Sequence, residues 1–514
     1  MQKGSFLGPF IYIAAMPPNL SKSRFVAGWQ CHKQLWLRVH EKDAPELQVD
    51  VVLQDRFDQG AEVGALARTV FPGGVLIDLP HDDPARVDAT RRALEAGAPS
   101  VFEATFAEDR VYAAIDVLER AGEGFTLIEV KSSTKTKDEH IPDVAIQTWV
   151  ARKAGIDVRR AELMHLNTDF RHPDRGELFV RTDVTAEVEA FQARIPGMIE
   201  EQLAALSGRQ PDVPVGTHCW MIERECPFWD RCFPTDEHHV WTLYRAYREQ
   251  KWALVLKGIR RVLDLPAVYK LSEIQRRQRK ALETGRMIVE PGLRAALREF
   301  DGRLGFLDFE TISRALPVWP DVGPWRQVVV QFSYHEEDAG APGGYRHRAY
   351  LAEGPGDPRE ELALQLLEAT RDAERIVMYS SFERTRIKEL AEWLPHLAPD
   401  LQALQGKLVD LLPVIQNNVY HPRFAGSFSI KQVLNPMVPD LTYDDLAIVD
   451  GQVASVEIAR LLFVAHKVRD RDQLRRDLLA YCERDTWAMV RLLERLREEA
   501  AGLPGRGGAV TGAD

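Results

Sequence analysis

The sequence predicts an α/β protein built as two domains joined by a helical connector. Three observations carry that prediction: strand-like apolar runs alternate with helical patterns in both halves, a strand-free stretch separates them, and 514 residues suit two or three domains. With 45% hydrophobic and 28% charged residues the composition is that of a folded chain that needs no disulfides, and no apolar run approaches a membrane span. A cytoplasmic location without a membrane partner is therefore expected. The net charge of −11 argues against a protein that coats nucleic acid through bulk positive charge. Acidic sites that recruit divalent cations stay open, and the basic stretch 251–286 reads equally as a nucleic-acid contact or a solvated helix face.

Taken in order, residues 1–20 read as a leader, expected to be disordered, with MPPNLSKSRF from Met16 resembling a natural chain start. Residues 21–234 form the first domain, with strands at 111–119 and 125–132 and a helix at 143–154. Residues 235–300 form the connector, in which Trp241, Tyr244, Tyr247, Trp252 and Leu256 fall at roughly helical spacing and no strand is evident. The second domain, 301–498, opens with the apolar strand LGFLDFE, continues with a partner strand at 327–335, and closes with an amphipathic helix over 470–497. The Gly-rich segment 499–514 is expected to be a disordered tail. No internal repeat relates the two α/β blocks.

In the first domain, Ala121-Gly122-Glu123-Gly124 turns between two strands, which places Asp116 on one and Glu129 and Lys131 on the other. Residues two apart on a strand share a face, so the hairpin can bring both acids and the lysine together. Two carboxylates there could hold Mg²⁺ or Mn²⁺, with the lysine orienting water or countering phosphate charge. Taken alone, Glu129-x-Lys131 reads as an ordinary cross-strand ion pair. The order of acid, E-x-K strand and following helix with Gln147 resembles the PD-(D/E)XK nucleases of the RecB type, which implies a restriction-endonuclease-like fold and catalytic roles for Asp116, Glu129, Lys131 and Gln147. The chain lacks the tyrosine that often follows the glutamine and the histidine expected on an early helix. Glu62 and Glu103 are candidate substitutes.

Cys31 stands near the start, and Cys219, Cys226 and Cys232 follow in a Cys-x6-Cys-x5-Cys arrangement, while Cys482 stands apart. Clustered cysteines in a cytoplasmic chain suggest metal ligands, and four thiolates suit an iron–sulfur cluster or a structural zinc ion. His32 and His218 are conceivable further ligands. One early and three late cysteines resemble the iron–sulfur version of the RecB-type fold found in CRISPR-associated and helicase-linked nucleases. That resemblance implies a cluster, 4Fe–4S by type, held by Cys31, Cys219, Cys226 and Cys232. The six-residue gap exceeds the two-residue gap usual in that family.

In the second domain Asp308 and Glu310 share one face of an apolar strand, as a pair of cations about 4 Å apart would require. Glu383 follows the apolar run 376–379 and can stand at a strand-to-helix corner, and Tyr481 and Asp485 are four apart on a helix. The set resembles the DEDD 3′ to 5′ exonucleases of the RNase-H-like fold, in the subgroup whose last motif is Tyr-x3-Asp. The resemblance implies Asp308, Glu310, Glu383 and Asp485 as ligands of Mg²⁺ or Mn²⁺, and Tyr481 as the residue that positions water. Position 383 is Glu where Asp is usual, and Asp410 is a candidate accessory acid. The segment Tyr420-His421-Pro422, with Gly426 to Lys431 after it, could grip a single strand by stacking and phosphate contacts, or could be a turn with a helix cap at Ser427 or Ser429.

The whole architecture resembles a bacterial domain-of-unknown-function family of such fusions. It implies a DNA nuclease acting on single-stranded or end-containing DNA in repair, recombination or defence, with no protein partner indicated. The rival expectation is a nucleic-acid-binding or adaptor protein with one or both sites inactive.

Overall fold

The computed structural model describes residues 20–81, 83–220 and 226–503, so residues 1–19 of the leader expected at 1–20 and most of the expected tail lie outside the described residues. The chain is mixed α/β and divides into two compact units. The first comprises residues up to 48, 60–167 and 177–233, and the second 49–59, 168–176 and 234 onward. Two short segments expected in the first domain, 49–59 and 168–176, thus cluster with the second unit.

The first unit is built on a seven-stranded sheet of β1 (Leu20–Ser21), β2 (Val75–Leu76), β3 (Ser100–Glu108), β4 (Val111–Ala121), β5 (Gly124–Lys131), β6 (Val158–Leu166) and β7 (Phe179–Asp183). Its order is β2-β3-β4-β5-β6-β7, with β1 on β4. The expected hairpin is β4–β5, paired antiparallel from Val117↔Ile128 to Ala121↔Gly124, and Gly122 takes the turn at φ +59°, a conformation glycine adopts without a Cβ clash. β5 also pairs parallel with β6, so it is buried between neighbours, and Leu127 and Ile128 are fully buried. The helix expected at 143–154 runs His140–Lys153, with residues 144–151 all buried. That total burial explains why its sequence shows little amphipathic pattern.

The second unit carries a five-stranded sheet of β9 (Leu304–Ser313), β10 (Gln327–Glu337), β11 (Tyr345–Leu351), β12 (Arg375–Met378) and β13 (Leu408–Asp410), in the order β11-β10-β9-β12-β13. The first three strands pair antiparallel, and β12 joins β9 and β13 in parallel. Phe306, Leu307 and Phe309 are buried along β9, and a Cβ added at Gly305 would run into the Tyr334 ring. The register shifts between Val329 and Gln331, opposite Glu310 and Thr311, and such a bulge re-aims side chains locally. A 32-residue helix, Arg471–Gly502, packs on β9 and β10: Gln331 Nε2 donates to Leu478 O at 2.9 Å, and Ser333 Oγ meets Thr486 Oγ1 at 2.8 Å. This helix reaches past the expected 497 into the stretch read as tail.

The connector is not strand-free. Ile288–Val289 (β8) pairs antiparallel with Val419–Tyr420 (β14), and Glu290 N continues the exchange by donating to Asn418 O at 2.8 Å. Two residues between helices leave no periodicity to read. Among the described residues no helix is long and apolar enough to cross a membrane.

Candidate functional site

The first unit brings Asp116, Glu129, Lys131 and Gln147 together. Lys131 Nζ donates to Glu129 Oε1 at 2.7 Å, and Gln147 Nε2 donates to Glu129 Oε2 at 2.8 Å. Asp116 Oδ2 accepts from Val130 N at 2.7 Å, which fixes it against β5. Two participants were missed: Lys22, on helix Lys22–Gln30, lies 3.0 Å from Glu129 and 3.9 Å from Asp116, and Asp143 takes Lys131 at 2.6 Å. Asp143 and Gln147 are one helical turn apart, a signal the sequence did hold.

Burial alone would raise Glu129, but Lys131 and Lys22 outweigh it and hold the carboxyl well below its usual range. Asp116 is pushed up to about 7 by burial and by the charge of Glu129. Gln147 Oε1 is buried without a hydrogen-bond partner. A cavity of about 280 Å³ opens on Lys22, Gln30, Gln34, Lys131, His140 and Asp143. Of the proposed substitutes, Glu103 pairs with Arg86 at 3.4 Å and Glu62 is exposed.

Cys31, Cys219, Cys226 and Cys232 carry free thiols and line one small cavity with Gln34, Leu37, Phe228 and Trp229. Burial raises the thiols of Cys31, Cys219 and Cys226, and their mutual proximity raises them further. Gln34 Nε2 donates to Cys226 Sγ at 3.2 Å, so one side chain borders both this cavity and the one beside Lys131. His218 lines the cysteine cavity, its Nε2 3.5 Å from Cys219 Sγ.

The second unit assembles Asp308, Glu310, Glu383, Tyr481 and Asp485. Glu383 enters on the first turn of helix Phe382–Trp393, just after Ser380, whose φ of +96° bends the chain sharply off β12. Asp410 holds that bend. Its Oδ1 accepts from Ser380 N at 3.0 Å and caps helix Leu411–Asn418, so the expected accessory acid has a structural task here. Asp485 accepts from Tyr443 Oη at 2.6 Å.

Burial pushes all four carboxyls up, and each is raised further by at least one of the others, save that Asp485, at about 6, is relieved by its hydrogen bonds from Tyr443 and Tyr481. Glu383 reaches about 8. Its Oε2 is buried with no hydrogen-bond partner.

Cys482 does not stand apart. It is fully buried, its Sγ lies 3.6 Å from Asp308 Oδ2, and it groups with Asp308 and Glu310 within metal-binding distances. Burial and the three acids keep the thiol protonated, so it serves Asp308 as a donor. Of the two readings of the segment 420–431 the structure favours the capped turn: Lys431 donates to Tyr481 Oη at 2.9 Å and Val449 O at 2.7 Å, lying over the Tyr443 and Tyr481 rings. Ser429 caps its helix, and Tyr420 is fully buried, so it offers no stacking face. A cavity of about 480 Å³, lined by Glu310, Phe309, Phe382, Gln452, Arg56 and Gln59, opens beside the acids.

Fold and sites together define a mixed α/β protein with two acidic clusters and a four-thiol cavity. A family model described as "Domain of unknown function (DUF2779)" matches residues 305–429, a span that holds Asp308, Glu310 and Glu383. The chain is also similar to "Uncharacterized protein UU173" of Ureaplasma parvum serovar 3 (strain ATCC 700970), at 24% identity over 219 residues, which is 38% of this chain. The chain spans about a third (32%) of the length of that relative.

Proposed function

We propose that the chain is a metal-dependent nuclease whose hydrolytic centre is the cluster of Asp308, Glu310, Glu383 and Asp485. One observation carries the reading: four carboxyls, three of them buried and Asp308 half-buried, converge so that Asp308, Glu310 and Glu383 are raised by their acidic neighbours, and Glu383 Oε2 has no partner. Such a set is costly unless cations bind it, and its oxygen donors suit Mg²⁺ or Mn²⁺. Bound there, the ions would lower the pKa of water and balance charge on a phosphodiester. The chain's own residues supply the rest: Tyr481, its hydroxyl held between Lys431 and Asp485, would stand beside the attacking water, and Cys482 and Tyr443 steady Asp308 and Asp485. The order of strand acids, middle glutamate and terminal Tyr-x3-Asp helix supports an RNase-H-like exonuclease acting at 3′ ends of DNA.

For the first unit, the acid, E-x-K and glutamine positions support a RecB-like, restriction-endonuclease-like site. Here a second reading has its own observation: Lys22 and Lys131 already neutralise Glu129, which favours nucleic-acid binding without cutting. The four thiols support an iron–sulfur cluster. A structural zinc ion would use the same four thiolates, and the arrangement of one early and three late cysteines is what favours the cluster.

The test is cleavage of labelled single-stranded and duplex DNA and RNA with Mn²⁺, after anaerobic purification with an iron count. Asp308→Ala should abolish cleavage from 3′ ends, and Cys226→Ala should lose iron. Cleavage unchanged by both Asp308→Ala and Lys131→Ala would overturn the enzyme reading.

A further inference from the structure

The face of the second sheet that carries Asp308 and Glu310 also carries a histidine pair. His335 on β10 and His347 on β11 are directly opposed in register, their ring centroids 4.5 Å apart. Glu483, on helix Arg471–Gly502, completes a group whose ligand atoms lie within 4.8 Å of one another, with His347 Nδ1 3.8 Å from Glu483 Oε1. None of these three residues belongs to the carboxylate cluster.

Hydrogen bonds behind the rings decide which nitrogen is free. Thr486 Oγ1 donates to Glu483 O at 3.0 Å, so its oxygen can only accept from its other neighbours. It therefore accepts from His335 Nδ1 and from Ser333 Oγ, each at 2.8 Å. With its proton spent on Thr486, Ser333 Oγ in turn accepts from His347 Nε2 at 2.9 Å. The remaining lone pairs are on His335 Nε2 and His347 Nδ1. Fixing the tautomer through the far nitrogen is how histidine ligands of metals are oriented. Burial keeps both imidazoles neutral, with His335 lowered to about 3. Glu483 is half-exposed and borders, with both histidines, Tyr345 and Trp487, a cavity of about 480 Å³.

We propose that His335, His347 and Glu483 bind one borderline transition-metal ion of the Zn²⁺ class, with open positions facing that cavity for solvent or a small ligand. Two imidazoles and one carboxylate favour such an ion over Mg²⁺, which prefers oxygen alone. The site is independent of the nuclease reading, because it uses none of the four acids.

The test titrates the full chain with Co²⁺ under excess Mg²⁺, so that the carboxylate centre is filled, and compares it with His347→Ala and Glu483→Gln. Both side chains are partly exposed, at 26% and 49%, and far-ultraviolet circular dichroism verifies the fold of each variant. The unmodified chain should take up one more Co²⁺ than either variant, with visible bands of nitrogen–oxygen coordination that Zn²⁺ abolishes. Thiolate charge-transfer bands should be the same in all three. Equal Co²⁺ uptake and identical visible spectra in the three proteins would overturn the proposal.

Discussion

In the first unit Glu129 faces Lys131 at 2.7 Å and Lys22 at 3.0 Å, and its carboxyl is held down. In the second unit Asp308, Glu310, Glu383 and Asp485 converge with a single lysine, Lys431, which acts on Glu310 and Asp485, and all four carboxyls are pushed up. Arg386 and Arg484 also approach the second cluster but are engaged by Glu389 and Asp445. Both sites are buried and both are acidic. What separates them is whether the protein supplies enough counter-charge to outweigh burial. A cluster that does so is stable as it stands, whereas one that does not is built around something it must acquire.

Replacing a ligand tests that contrast most strongly. Asp308→Asn should reduce Mn²⁺-dependent cleavage by more than the roughly 10–100-fold typical of groups one layer behind a metal, read in single-turnover assays. Lys131→Met should act on the first unit through stability. It leaves Glu129 and Asp143 short of a cation in a buried setting, at a cost of about 3 kcal/mol in urea unfolding. If Lys131→Met left unfolding unchanged, the lysine would not be the counter-charge and the contrast would fail.

Tyr481→Phe keeps the ring but removes the hydroxyl that Lys431 orients, and should lower the cleavage rate by about 10–100-fold with metal affinity nearly unchanged. A parallel loss of Mn²⁺ binding would instead make Tyr481 part of the support for the ligands.

Acidity sharpens the comparison further. Glu383 rises from an ordinary 4.5 to about 8, so between those values the metal-free folded chain holds a proton that the unfolded chain has released. Its contribution to stability is present below the lower value and is lost as pH rises through the upper one. Melting temperatures in a chelator should therefore fall across this window, and saturating Mn²⁺ should flatten the decline. Apparent Mn²⁺ affinity should rise about tenfold per pH unit for each proton displaced. The smallest effect is expected from Ser429→Ala, which uncaps the helix carrying Lys431 and should cost about 1 kcal/mol.

The positions of the acids could be read from the sequence because strand and helix periodicities fix which residues share a face. Asp308-x-Glu310, Tyr481-x3-Asp485 and Glu129-x-Lys131 are such pairs, and the structure brings each to its cluster. The counter-charges could not be read in this way. Lys22 reaches Glu129 across 107 positions of chain and Lys431 reaches Tyr481 across 50, separations at which no local period links them. Lys431 was also masked by its neighbours, since an aromatic and small residues before a base look like a strand-gripping loop until Tyr420 proves buried. The pairing of β8 with β14 escaped for the same reason, each strand being two residues long.

Helix Arg471–Gly502 turns Tyr481, Cys482 and Asp485 toward one cluster and Glu483 and Thr486 toward the histidine pair. Each residue of an α-helix advances the direction of its side chain by about 100°. A single inserted or deleted residue between 481 and 486 would therefore rotate some of these side chains out of register with the rest, whereas a substitution disturbs one position only. Among descendants of this chain, that stretch should vary in letters but not in length, and gaps should collect in the loops instead.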